Sequence, residues 1–497
     1  VIVPEGPGVE TMKVEPSRWR DIKSATGAAA LVALCLSSTL AWRWLGTDPS
    51  VPQWMLIATV SVHIAAGAVY LWYVHGLITS RATGRPVMAG ILMLGCAMRL
   101  GMAPPAPGLE DDFHRYLWDG AVLAHGVSPY RYSPAEVSQA LEGQAPLDPQ
   151  VVALAERATD TLARINHPEL RTIYPPVAQA WFALAHEIRP LSFNAWRGVI
   201  LVHDLATLAL LLALLRTLGL PITFVAVYWL NPLVVKEFYQ AAHMDILALP
   251  WVLGALWVVT RHRTVLSMTL LAVAVAVKLW PLLLAPIFLR PALRRPKTLL
   301  AAGTAFAVLW TSLMSPMLVY EWTAHSGLMK YADTWQNNAG FFALHDRFWE
   351  WALPKLGGVA WYNHRVSRVV TAELVLLWVV ILALRPIRDG ADLCRRSLWA
   401  VAGPFLVGPT QFPWYFTWLV PLLAIRPAWP LLLYTALMPL YYLHYSHQWV
   451  LWLEHGPVWV VLLVIALRLY PSRKRAEPES VRTAVTEDVG TMRTVTQ

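Results

Sequence analysis

Apolar runs separated by short polar breaks recur along nearly the whole chain, at lengths that suit membrane-spanning helices. The pattern predicts spans near 26–45, 54–76, 87–104, 197–215, 219–235, 244–260, 264–277, 280–290, 299–319, 366–385, 397–409, 415–426, 429–445 and 450–468. That is roughly fourteen, several of them too short to cross about 30 Å of hydrocarbon alone. Two long polar segments interrupt the series, 105–195 and 320–365. The first carries helical stretches, from Phe113 to Ala124 and through PQVVALAERATDTLARI. No short-period repeat is present. Residues 1–25 read as a tail, 26–470 as one transmembrane domain, and 471–497 as a polar, disordered tail.

Charge assigns the sides. Fourteen Lys and Arg fall in short loops on one side of the membrane, against Arg43, Lys236 and Lys278 on the other. The positive-inside rule then makes the N-terminus cytoplasmic and both long segments extracytoplasmic. RHR (261–263) and RPALRRPK (290–297) both read as inside although only 26 residues separate them. Two short helices hinged at Lys278-Leu279-Trp280-Pro281 preserve the parity and turn Lys278 outward; broken helices at membrane depth survive where they line a protein cavity. YPPVAQAWFALAHEI (173–187) is apolar enough to span, yet counting it would put Arg216 and RHR on the wrong side. It is predicted as an interfacial helix.

Composition narrows the class further. Of 497 residues, 57% are hydrophobic and 14% charged, well below the roughly one quarter usual in soluble domains. The net charge of +9 follows from basic cytoplasmic loops, so no nucleic-acid partner is expected. Three cysteines predict no disulfide framework. No small-residue cleavage site follows the first apolar run, so no cleaved signal peptide is expected.

With sidedness assigned, polar residues from distant segments converge on the outer face: Arg99, Glu110 to Asp112, His114, Arg115, Arg131, Tyr174, Lys236, Glu237, His243, Asp245, Lys278, Gln411 and Tyr415. Charge near a bilayer is costly and invites a functional explanation. Asp111 and Asp112 are adjacent carboxylates, where repulsion and partial burial raise one pKa into the range of a general base. The structural alternative is a cap for the helix that follows. Arg115, Lys236, His243 and Lys278 are candidate ligands for a phosphate. Lys236, Gln240 and His243 share one face if their segment is α-helical. His243 with Asp245 could be a metal pair, but lacks a third ligand nearby. A divalent metal is therefore possible but not required. Trp and Tyr in WQNNAGFF (335–342) and QFPWYFTW (411–418) could stack on sugar or lipid, or form an interfacial belt.

The blocks DDFHRYLWDG with SPYRYSP, TIYPPVAQ, NPLVVKEF with HMD, VKLWPLLLAP, WQNNAGFF and QFPWYFTWLVP occur in that order between about residues 100 and 425. Together they resemble the C-type (GT-C) glycosyltransferases, most of all the bacterial polyprenol-phosphate-mannose-dependent mannosyltransferases. The resemblance implies an all-α transmembrane bundle of about 12–14 spans and a catalytic carboxylate matching Asp111 or Asp112. It also implies a lipid-phosphate sugar donor entering from the bilayer, and inversion at the anomeric carbon. Two features depart from the pattern: two spans precede the one feeding the carboxylate loop, and Glu110 makes the acidic pair a triplet.

The expectation is an inner-membrane glycosyltransferase that moves a sugar, mannose by resemblance, from a polyprenyl phosphate to an extracytoplasmic glycan or glycolipid. Asp111 or Asp112 is the expected base. Tyr174 and Trp414 are expected at the cavity wall. The alternative class is a transporter or flippase of a lipid-linked sugar, which broken helices and intramembrane charge would also suit. Against it, the polar residues cluster near one face beside a large loop.

Overall fold

The computed structural model describes residues 18–45, 52–80, 83–103, 110–143, 147–320, 326–359 and 362–474. Most of both expected tails, and Arg81, which was expected in an inside loop, lie outside these residues. The chain is all-α: among the described residues the sole non-helical pairing is an isolated bridge between Asn337 and Thr410. Five helices are long and apolar enough to cross a membrane: Gln53–Ser80, Phe193–Thr217, Pro296–Leu318, Asn363–Leu384 and Val450–Arg468. A sixth span is possible as a broken pair, Pro232–Gln240 with Met244–Val259, bent by 107°. Other expected spans appear as shorter helices, such as Thr264–Val277 and Pro413–Ile425. Fourteen residues of helix reach only about 21 Å.

Two breaks position the site, and each has a local cause. Asn231 starts the first, its side-chain oxygen accepting from the Leu233 and Val234 amides at 3.0 and 3.4 Å, with Pro232 at the first helical position. Residues Lys236–Gln240 then form a π-turn, and Ala242 takes a left-handed conformation at φ 59°. That conformation costs a non-glycine residue about 1–2 kcal/mol. Trp196 holds it by donating to the Ala242 carbonyl at 2.8 Å. Lys236, Gln240 and His243 therefore do not share one face: Gln240 points to Ser38 and His63, while His243 turns away in extended backbone.

The second break falls at Lys278, which is extended (φ −157°, ψ 144°) after helix Thr264–Val277. A continuing helix would need the residue 281 amide to reach the Val277 carbonyl. Pro281 has no N–H to give. The chain resumes as a 3₁₀ turn, Trp280–Leu284.

The first long segment builds a small helical layer against this bundle. Helix Asp112–Ala124 packs on Pro176–Ile188, the helix expected in the YPPVAQAW stretch. The PQVVALAERATDTLARI stretch is two helices, Pro149–Arg157 and Thr159–Leu162, interrupted at Ala158. Gly120 is what lets the Asp112 helix sit close, since a Cβ there would lie 2.4 Å from the Phe182 carbonyl oxygen. Gly120→Ala must push the two helices apart, and such overpacking costs about 1–3 kcal/mol. A thermal melt of the detergent-purified protein should show the loss, and an unchanged melting temperature would contradict the close packing.

Candidate functional site

A cavity of about 700 Å³ lies where the start of helix Asp112–Ala124, the loop 166–175, the break at Lys278 and the segment 412–418 meet. Of the residues expected from sequence, Asp111, Asp112, Arg115, Tyr174, Lys278 and Trp414 line it. Lys236 and His243 lie behind the wall, against Glu110 and Asp112. All eight are brought into one neighbourhood from segments far apart in the chain. Their individual surroundings differ from the roles expected.

The carboxylate pair is held by one side chain. Asn166 donates to Asp111 Oδ1 at 2.7 Å and to Asp112 Oδ1 at 2.8 Å. Asp111 stands at the N-cap position of its helix, yet its side chain accepts no capping hydrogen bond. Helix capping therefore does not account for it. Asp111 is exposed at the cavity wall; the protein packed around its carboxyl, then repulsion from Asp112, push it up to about 6, while the Asn166 hydrogen bond opposes the rise.

The expected phosphate ligands are mostly engaged elsewhere. Lys236, 3% exposed, sits 3.0 Å from Glu237 and 3.4 Å from Glu110 and also contacts the Tyr442 hydroxyl. His243 is fully buried and stacks on Trp414 with ring centroids 4.0 Å apart. Its Nε2 faces Glu110 and Glu237 at 3.6 and 3.5 Å, and its Nδ1 faces Asp112 at 3.7 Å. Arg115 donates to the carbonyls of His167 and Leu170 at 3.1 and 3.0 Å, pinning the loop that carries Asn166. Lys278 pairs with Asp245 at 2.6 Å but keeps 18% of its side chain exposed, over the ring of Tyr415. Asp245 is also fixed by the indole N–H of Trp418 at 2.6 Å, so it is not placed with His243 as a metal pair. Burial alone would raise the Glu110 carboxyl, but Lys236 and His243 hold it below the usual carboxylate range.

Other expected members stand apart. Arg99 is committed to Asp204 at 2.6 Å in a buried network with Tyr228 and Tyr239. Gln411 bonds the Gly408 carbonyl and Tyr434. In WQNNAGFF, Asn337 and Asn338 strap their loop to residues 409–411, and Asn338 donates to Glu454 at 2.6 Å. Trp335 of that block does line the cavity. Sequence reasoning missed Asn166, Tyr442 and Arg171. Arg171 lines the cavity, lies 3.8 Å from Glu136, and has a buried Nε with no hydrogen-bond partner among the described residues. No spacing rule marks Asn166; the polar run ARINHPELR before YPP was the available signal.

No protein-family model matches the chain, and neither the curated proteins nor the solved structures give a match. The site is therefore read from its own geometry. Arg115→Met would remove the shared donor of two part-buried carbonyls, at about 1–3 kcal/mol. Amides of residues 166–171 should then exchange hydrogen about tenfold faster or more. Unchanged exchange in that loop would show that Arg115 does not hold it.

Proposed function

We propose that the chain is an integral-membrane glycosyltransferase that moves a sugar from a polyprenyl-phosphate donor to an extracytoplasmic glycan or glycolipid. Mannose is the sugar suggested by the family resemblance. The observation that carries the reading is the Asp111–Asp112 pair on one asparagine, at the wall of a large cavity rich in aromatic rings. Trp280, Trp335, Trp414, Tyr415 and Trp418 offer flat faces suited to a sugar or a prenyl chain.

In this reaction Asp111 takes the proton from the acceptor hydroxyl as its oxygen bonds the anomeric carbon. The bond from that carbon to the phosphate oxygen breaks, and the polyprenyl phosphate leaves as an anion. No general acid is needed for such a leaving group. Lys278 and Arg171 line the same cavity, as does Arg115, and would stabilise the charge that develops. Asp112, held between Asn166 and His243, adds to the proton affinity of Asp111 through its charge.

The pH dependence follows by sign. A base acts when ionised, so transfer should fall as pH drops through about 6, where Asp111 takes up a proton. Asp111→Asn should lose about 10²–10⁴ in kcat. Asp112→Asn removes a charge that raises Asp111, so any activity left should have its acid limb moved to lower pH. The assay is transfer from polyprenyl-phosphate mannose by purified protein. Full activity in Asp111→Asn would end the assignment of the base, and full activity in the double variant would end the enzymatic reading of this site.

A further inference from the structure

We infer that Glu110, Glu237 and His243 form a binding site for one divalent metal ion, with zinc the ion whose geometry fits. One potential ligand atom from each lies within 4.8 Å of the others, and all three residues are buried. Glu237 Oε2 and His243 Nε2 have no hydrogen-bond partner among the described residues, although neither side chain is exposed to solvent. Buried polar atoms without partners are rare, and an unseen ion is one of the few explanations for them.

The arrangement around the three atoms has the form of a metal site. Lys236 engages Oε1 of both Glu110 and Glu237, leaving Oε2 of each turned toward His243 Nε2 at 3.6 and 3.5 Å. A tetrahedral ion with bonds of about 2.0–2.2 Å holds its ligand atoms about 3.3–3.6 Å apart. On the far side of the ring, Asp112 Oδ2 faces His243 Nδ1 at 3.7 Å. A carboxylate behind a ligating imidazole is the usual outer support of such ions, because it fixes the ring and its tautomer. Two carboxylate oxygens and one imidazole nitrogen suit zinc, with a fourth position left for water or a ligand. Charge also permits it: two carboxylates and Lys236 sum to minus one before the ion binds. The rival arrangement is a doubly protonated His243 bridging the same carboxylates with no metal.

The test uses the full chain, purified in detergent, stripped with a chelator and titrated with zinc alone by calorimetry. Zinc-edge X-ray absorption on the reloaded wild type reads the ligands. One saturable equivalent is expected, with a first shell of oxygen and a single imidazole near 2.0–2.1 Å. Glu237→Gln and His243→Gln should abolish it, while Glu350→Gln on an exposed helix should not. No saturable binding by the wild type, a shell without imidazole, or equal binding by both folded site variants would overturn the inference. Should those variants fail to fold, the wild-type titration and spectrum decide. Neither readout involves transfer, so this inference and the glycosyltransferase reading stand or fall separately.

Discussion

The buried contact of Lys236 and His243 with Glu110 and Glu237 is the constraint on which the site depends. Glu110 belongs to the loop entering the first long polar segment, and the other three belong to the broken helix. The cluster therefore ties the carboxylate pair to the bundle. Buried ion pairs add little net stability, because desolvation offsets most of their attraction. Removing one partner is a different matter and costs about 3–5 kcal/mol, since it strands a charge. The cluster thus acts as a register: the loop can dock in one place, with Asp111 and Asp112 beside the cavity. The same need explains why a π-turn and a left-handed Ala242 persist in an apolar helix. Without them His243 could not turn back on the residues that precede it.

Much of this was legible from pattern, and the reasons are specific. The break at Lys278 followed from counting basic residues on either side of 264–289, a global constraint that needs no partner to be known. The Asp112 helix and the Pro176 helix followed from the apolar pattern of those stretches. That the charged residues of DDFHR, KEF, HMD and VKLWP would meet followed from their common depth. Their pairings did not. Sequence shows the sign of Lys236 but not that a carboxylate 126 positions away would claim it. Arg115 and Lys236 were therefore read as open to a phosphate when their donors are committed to carbonyls and carboxylates. Arg99 failed for the same reason, with its partner Asp204 on a helix whose pattern reads as simply apolar. Asn166 was invisible because one asparagine in a polar loop carries no periodicity.

The distribution of charge also limits what the cavity can hold. Its wall keeps Asp111 and Asp112 on one side and Lys278 with Arg171 as basic groups, while Lys236 and His243 stand behind it. A ligand that is anionic at one end and neutral with many hydroxyls at the other fits this polarity, and the many aromatic faces fit a sugar or prenyl chain between. The polyprenyl-phosphate sugar proposed as donor has that form.

Asp112 is the joint between the two halves of this arrangement. It shares Asn166 with Asp111 on the cavity side and faces His243 on the buried side. His243 faces Glu110 and Glu237 as well as Asp112, and the charge of Asp112 raises the proton affinity of Asp111. Two contacts thus separate the cluster that fixes the loop from the carboxylate suited to take a proton. The loop that the buried charges anchor also carries Asp111 to a place where its surroundings, and then the charge of Asp112, raise its carboxyl toward the pH at which a base is most useful.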